Sequence, residues 1–412
     1  MVISPKVLVL SNGAGEDSIA VQIIRQLRRV ECEAMPLVGT GVGYAGTVPL
    51  IGPRRILPSG GLVPEDYTRL TKDIKGGMLS LVYQQFRCLR HERRKYQLVV
   101  AVGDMWAVIL ALLSGIKPVL FIGTAKSAYH HEYSRLEAAI LRTFRVRALV
   151  RDEITAVRLR KQGVIAAWVG NAIMDGLQPT GCYLGLAENE AGLAMFPGSR
   201  EGTYRALSPM LAAYRVLLER ALQHGTTVPR ALVMLAPSVN MARLAASCAG
   251  YHWREVESDV GVVGELRYGE GDCYPIQLVR GCMADVLSCS RVAMGQAGTA
   301  HEQAAGFGLP VVAFDCPSSP RESLGWYRGR QKGLLGEALS VVPNTIEAMV
   351  SEVEKLWNDE DERRRRGVIG QQRMGPSGAA QGMAAIIEHL AEGQRMSSRD
   401  MYKCSQMGLR NS

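Results

Sequence analysis

Four short stretches of the 412-residue chain set chemically able side chains beside glycine. In SNGAGEDS, Gly13 and Gly15 precede the carboxylates Glu16 and Asp17. In AVGDMW, Asp104 ends an apolar run. FPGSREG places Ser199 and Arg200 after Pro197-Gly198, and GQAGTAHEQ spaces Gly295, Gly298 and Thr299 ahead of Glu302 and Gln303. An arginine beside a hydroxyl and glycine amides suits a diphosphate, because the guanidinium fork matches its oxygens and glycine lets backbone come close. A carboxylate in the first turn of the helix AHEQAAGFG can accept both hydroxyls of a ribose, while the free amides there hold an anion. The third and fourth stretches together therefore fit a nucleotide-sugar diphosphate.

The acidic residues of the first half carry a different chemistry. Glu16 and Asp17 either complement the positive end of a helix or face an acceptor whose hydroxyl must lose a proton. Asp104 is either a helix N-cap or a general base. GTGVGYAG has GxGxxG spacing at Gly41, Gly43 and Gly46, but the prolines and glycines of TVPLIGPRRILPSGG exclude the helix that a dinucleotide site requires. The seven histidines show no metal-ligand spacing, and neither HExxH nor DxD occurs convincingly. The expected transfer is metal-independent, with no cofactor and with the leaving diphosphate stabilised by Arg200 and helix amides.

Positioning such residues requires strands that end in loops. Short apolar strands at Lys6–Leu10, Leu98–Val102, Val119–Ile122 and Ala148–Val150 alternate with helical runs at Ser18–Val30 and Met105–Ser114, the rhythm of parallel sheets covered on both faces. The rhythm lapses in the linker Gly170–Glu190 and restarts at LAMFPGSREG. Two α/β domains are expected, over 1–178 and 190–390, with a tail at 391–412. The apolar tract Leu98–Gly123 is broken by Asp104, Lys117 and Pro118, so it reads as strand, helix and strand, not as a membrane span.

The hydrophobic share of 47% indicates packed, globular material. Nine cysteines without a CxxC pair and no leader before Lys6 point to free thiols in a reducing cytoplasm. The net charge of +9 is uneven, with 24 Lys+Arg against 14 Asp+Glu up to Gln178, so the first half is expected to meet something anionic. Gly76–Gln97 mixes apolar residues with a basic cluster at Arg87–Lys95. It reads as a surface helix or as a docking element for an anionic membrane. No nucleic-acid partner is expected.

In order along the chain, SNGAGEDSIA, VGDMWAVILALL, FIGTAKS, WVGNAIMDGL, FPGSRE and GQAGTAHEQAAGFGLPVV resemble lipid-A-disaccharide synthase, and above all the group of related proteins known from cyanobacteria. The resemblance runs from about Lys6 to Glu388. It implies the GT-B fold: two Rossmann-like domains with parallel sheets facing a central cleft, the nucleotide-sugar donor on the second and the acceptor on the first. It implies Arg200 at the donor phosphates, Gly298 and Thr299 in the donor loop, either Glu302 or Gln303 at the ribose, an essential Asp104, and a hinge motif at Asn171 and Asp175. The activity implied is transfer from a UDP-sugar to a lipid or lipid-like acceptor, in the cytoplasm or peripherally on the inner membrane surface. Ala14 departs from the histidine usual in that group's N-terminal loop, which leaves the base to Asp104, Glu16 or Asp17. A non-hydrolysing sugar-nucleotide 2-epimerase and a non-catalytic nucleotide-sugar-binding protein are the rival readings.

Overall fold

The computed structural model describes residues 4–56, 74–198, 202–248, 250–256, 258–268, 273–316 and 325–410. The chain divides into two compact units, Met1–Gly176 with Ser377–Ser412 and Leu177–Pro376. In the first, β1 (Lys6–Ser11), α1 (Ala14–Ile24), β2 (Glu31–Pro36), α2 (Met78–Glu92), β3 (Leu98–Gly103), α3 (Met105–Leu113), β4 (Val119–Gly123), α4 (Arg135–Thr143), β5 (Arg147–Leu149), α5 (Glu153–Lys161) and β6 (Ile165–Ala167) follow in turn. The strands form one parallel sheet in the order β2-β1-β3-β4-β5-β6. Val7, Val9, Leu98 and Val100 face one apolar core, and Leu8, Leu10, Val99 and Ala101 face another. This period of two, with both faces buried, is why the strands read as unbroken Val/Leu runs.

The second unit contains β7 (Ala191–Phe196), α6 (Gly202–His224), β8 (Pro229–Met234), α7 (Met241–Ser247), β9 (His252–Glu255), β10 (Gly261–Arg267), β11 (Ile276–Arg280), α8 (Met283–Cys289), β12 (Ser290–Gly295), α9 (Thr299–Phe307), β13 (Val311–Ala313), α10 (Gly325–Leu335), β14 (Leu339–Val341), α11 (Ile346–Asn358) and α12 (Glu360–Met374). Its sheet runs β14-β13-β12-β7-β8-β11-β10-β9, parallel except where β10 pairs antiparallel with β11 and β9. Asp285 on α8 secures the incoming linker, accepting the Thr180 amide at 2.8 Å and the Gly181 amide at 2.8 Å.

The C-terminal segment departs from the expected boundaries. The second unit ends at Pro376, and α13 (Ala379–Ala391) and α14 (Ser398–Arg410) return to the first. Met383, Ile386, Ile387 and Leu390 of α13 complete the core over Val7, Val9 and Val100, and Met396, Met401 and Cys404 extend it, so the stretch expected as a tail is partly core. Asp175 accepts the backbone amides of Gly378 and Ala380 and so caps α13. At the far end Glu388 takes the amides of Arg28 at 2.6 Å and Arg29 at 2.7 Å.

Two further expectations change. α1 begins at Ala14, not Ser18, and ends at Ile24, not Val30, because Gly13 serves as its N-cap and β2 begins at Glu31. The GTGVGYAG segment forms only a short 3₁₀ turn, Val42–Tyr44. Among the described residues no helix is long and apolar enough to cross a membrane.

The back of α9 is shaped by two glycines of α12. A Cβ at Gly367 would stand 2.3 Å from the Gly308 carbonyl oxygen, and one at Gly370 would stand 2.2 Å from that of Ala305. Glycine in a helix interior usually gives way to alanine with a gain of about 1 kcal/mol. Here Gly370→Ala is expected to reverse sign and destabilise the fold by roughly 1–3 kcal/mol, the usual cost of overpacking. Urea unfolding measures it, and a stabilised variant would mean that the two helices do not touch there.

Candidate functional site

Each sheet reverses its strand order once. In the first unit the chain passes from β1 outward to β2, then returns to β3 and continues the other way. The loops after β1 and β3 therefore diverge to opposite faces and leave a crevice at the strand ends, where open α/β sheets bind ligands. β1 pairs with β3 up to Ser11 and Val102, which brings Asn12 level with Gly103 and Asp104.

Asp104 is the N-cap of α3: its Oδ1 accepts the Trp106 amide at 2.9 Å, and its Oδ2 accepts Asn12 Nδ2 at 2.8 Å. Burial raises its pKa above the ordinary carboxylate value, although those hydrogen bonds pull the other way. Gly103, at φ 127°, lets this corner close, because a Cβ there would lie 3.1 Å from Glu16 Cγ and 3.3 Å from Asn12 Cβ. Thr124, just past β4, donates its hydroxyl to Glu16 Oε1 at 3.3 Å. The crevice thus gathers Asn12, Glu16, Asp104 and Thr124. Gly13 borders Glu16 as the helix cap, and Gly15 is exposed with open space where a side chain would stand.

Asp17 does not join them. It is only 5% exposed and turns inward, accepting the Ser11 hydroxyl at 2.6 Å, while Tyr44 donates to that same hydroxyl at 2.7 Å. Asn171 donates to the Arg151 carbonyl at 3.3 Å, and Arg151 donates to the Thr124 carbonyl at 2.8 Å, so the loops after β4 and β5 are joined.

The second sheet reverses between β7 and β12. Phe196 at the end of β7 pairs with Gly295 at the end of β12, and a Cβ on Gly295 would stand 2.1 Å from the Phe196 carbonyl oxygen. Glycine at 295 is thus required by neighbouring backbone, and was expected instead to admit a ligand. Past the strand ends lie Pro197-Gly198, with Gly198 at φ 108°, and Gln296–Gly298. Ser199 and Arg200, read as a phosphate site, lie outside the described residues.

The 296–298 loop is held from behind. Arg328, 2% exposed, donates to the Gln296 carbonyl at 2.7 Å, the Ala297 carbonyl at 3.1 Å and Gln331 Oε1 at 2.6 Å, and pairs with Asp315 at 2.7 Å. Gln331 Nε2 donates to the Gly298 carbonyl at 3.0 Å. Gly298 is the N-cap of α9, exposed Thr299 opens the helix, and half-buried Glu302 and Gln303 stand in its first turn. As a glycine, Gly298 brings no capping side chain to that end. His301 is fully buried beside Gln331, and burial first, then the Arg328 charge, depresses its pKa to about 3, so it is a neutral imidazole. Among the described residues Thr203 Oγ1, Gln296 Oε1 and His301 Nε2 are buried without a hydrogen-bond partner.

Sequence reasoning placed Asp104 and the α9 loop at strand ends but missed Asn12, Thr124, Asp315, Arg328 and Gln331. Asn12 and Thr124 lie within stretches that were singled out, SNGAGEDS and FIGTAKS. Nothing in the spacing of Arg328 or Gln331 announces a contact with a loop some thirty residues earlier.

No family model matches the chain, and no curated protein matches it. Among solved structures it is similar to UDP-GlcNAc 2-epimerase from Neisseria meningitidis bound to UDP-GlcNAc, at 12% identity and TM-score 0.54 over 94% of this chain and 100% of that one. It is also similar to MurG from Acinetobacter baumannii, at 14% identity and TM-score 0.55 over 93% and 99%. A third likeness is to UDP-glucose:anthocyanidin 3-O-glucosyltransferase in complex with UDP, at 10% identity and TM-score 0.57 over 96% and 100%. At such identities the likeness is one of architecture. The chain has the α/β GT-B fold that its motifs led one to expect.

The inward turn of Asp17 has a measurable consequence. Burial pushes its carboxyl up to about 6; the Ser11 hydrogen bond opposes this and the nearby Glu16 charge adds to it. In the unfolded chain the pKa returns to about 4. Between these values the folded state keeps a proton that the unfolded state has lost, so this stabilising contribution is full below about pH 4 and lost as pH rises through 6. Asp17→Asn stays neutral and can still accept from Ser11. It is expected to gain on the wild type by on the order of 2–3 kcal/mol between pH 4 and 7, read from urea unfolding at several pH values. A difference independent of pH would place the carboxylate in water.

Proposed function

We propose that the protein is a metal-independent GT-B glycosyltransferase that moves a sugar from a UDP-sugar to a lipid or lipid-like acceptor, as the resemblance to lipid-A-disaccharide synthase and its cyanobacterial relatives implies. The observation that carries this reading is the pair of loops at the β7/β12 reversal. A helix start with a glycine cap, glycine-lined backbone and polar atoms that are buried and unpartnered among the described residues converge there, in a fold shared with solved proteins bound to UDP-GlcNAc or UDP. In this reading Ser199, Arg200, Gly298 and Thr299 hold the diphosphate, and Glu302 or Gln303 meets the ribose. Asn12, Glu16 and Asp104 attend the acceptor on the first unit, which we take to be residues up to about 178 together with the returning C-terminal helices.

Chemically, the acceptor hydroxyl forms a bond to the anomeric carbon as the bond from that carbon to the diphosphate oxygen breaks. The hydroxyl proton passes to a carboxylate, and the charge left on UDP is taken by Arg200 and the α9 amides. Asp104 suits the proton because burial raises its basicity while Trp106 and Asn12 fix its orientation. A lipid acceptor agrees with α2, where Leu81, Gln85 and Leu89 are buried while Leu79, Tyr83, Arg87 and Arg90 are exposed, an apolar half followed by a basic one. The likeness to UDP-GlcNAc 2-epimerase supports a second reading. Incubation with UDP-GlcNAc alone separates the two, because an epimerase turns over without an acceptor.

Two outcomes are expected. Arg200→Ala should weaken UDP binding by about 1.5–3 kcal/mol, the range for charge-assisted hydrogen bonds; calorimetry showing unchanged affinity would remove Arg200 from the site. Asp104→Asn preserves a capping acceptor for Trp106 but cannot take the proton, so UDP binding should persist while transfer falls about 10²–10⁴-fold. Wild-type turnover in that variant would leave Asp104 as a helix cap and move the base to Glu16.

A further inference from the structure

The opposite edge of the second sheet bears a groove that the proposed transfer does not use. It has a volume of about 830 Å³ and is lined where three parallel strands begin: Thr226 and Thr227 before β8, Ser290 and Arg291 at the start of β12, and Pro310 before β13. The start of α12 closes it with Glu360, Arg363 and Arg364. Arg291 and Gly295 are four residues apart on β12, about 13 Å at strand rise, so the groove is separate from the loops at the strand ends.

Its charges are unbalanced. Three arginines face one glutamate; Arg364 pairs with Glu360 at 2.8 Å and lies 3.7 Å from Asp361, which leaves Arg291 and Arg363. Glu362, on the next turn, is taken by Arg365 at 2.7 Å and Arg366 at 2.8 Å. Half-buried Arg291 has its guanidinium 5.4 Å from the Trp357 ring and no carboxylate partner among the described residues. Arg363 is fixed by the carbonyls of Leu356, at 2.9 Å, and Trp357, at 2.5 Å, and makes no ion pair among the described residues, although the charges of Glu360 and Asp359 act on it. Burial, and then the Arg291 charge, depress the Arg363 pKa. Two guanidinium groups that line one groove and act on each other's charge, one beside an aromatic ring and one held by backbone, suit a multiply charged oxyanion, and the hydroxyls of Thr226, Thr227 and Ser290 can add neutral donors.

We propose that this groove is a second ligand site, built by Arg291 and Arg363 with Arg364 at its rim, for a small phosphorylated anion carrying at least two negative charges. Inorganic pyrophosphate is the probe, titrated calorimetrically into the full-length protein with and without saturating UDP. Binding is expected to persist in UDP, to weaken at least tenfold in Arg291→Gln, and to fall as salt rises. Among the described residues the Arg291 side chain makes no ion pair and lies against the Trp357 ring, so the variant is expected to fold, and its unfolding midpoint checks this. Equal affinity in wild type and variant, or complete displacement by UDP, overturns the proposal. So does an acidic polyglutamate peptide that binds through Arg291 where pyrophosphate does not, which would make the groove a protein-docking surface.

Discussion

A parallel sheet can offer a ligand the ends of its strands only where two neighbouring crossovers leave on opposite faces. Each unit of this protein has one such place, between β1 and β3 and between β7 and β12. Elsewhere consecutive crossovers pack side by side and fill the strand ends with side chains. The residues with chemical capacity follow this constraint closely: Asn12 and Asp104 flank the first reversal, and Gly198 and Gln296–Thr299 flank the second.

What holds those loops differs between the units. At the first reversal the holding groups are themselves polar side chains at the strand ends. Asp104 binds Asn12 with one oxygen and caps α3 with the other, so one carboxylate both closes the corner and stands in the crevice. At the second the support is hidden. Arg328, Gln331 and Asp315 grip the loop through its carbonyls, and Gly367 and Gly370 admit α12 against the far side of α9. The Gln296 amide is taken by the Phe196 carbonyl at 2.9 Å, so the amides left for an anion are those further along, toward the start of α9.

Much of the architecture was legible from local pattern. Fully buried runs such as Leu98–Gly103 identify parallel strands, and Gly308 ends α9 where its pattern lapses, because burial on both faces and helix termination act over a few residues. Asp104 as a cap was equally readable, since an N-cap needs only its own helix. The C-terminal boundary was not. The stretch after Ser377 has the composition of any amphipathic helix, and only the core over β1 and β3 shows that it closes the first unit.

The same division runs through the site. Local sequence determined which residue types stand at strand ends, because alternation, glycine and helix start signals are set by neighbours in the chain. Which carboxylate faces the crevice was decided by tertiary structure. Glu16 and Asp17 are adjacent and chemically similar, yet helix geometry turns them about 100° apart. One reaches Thr124, and the other is drawn under Ser11 and Tyr44. Arg328 became the loop's support only when α10 came against β14, for the two loop carbonyls it holds, those of Gln296 and Ala297, lie some thirty residues away and, being backbone, leave no trace in side-chain identity.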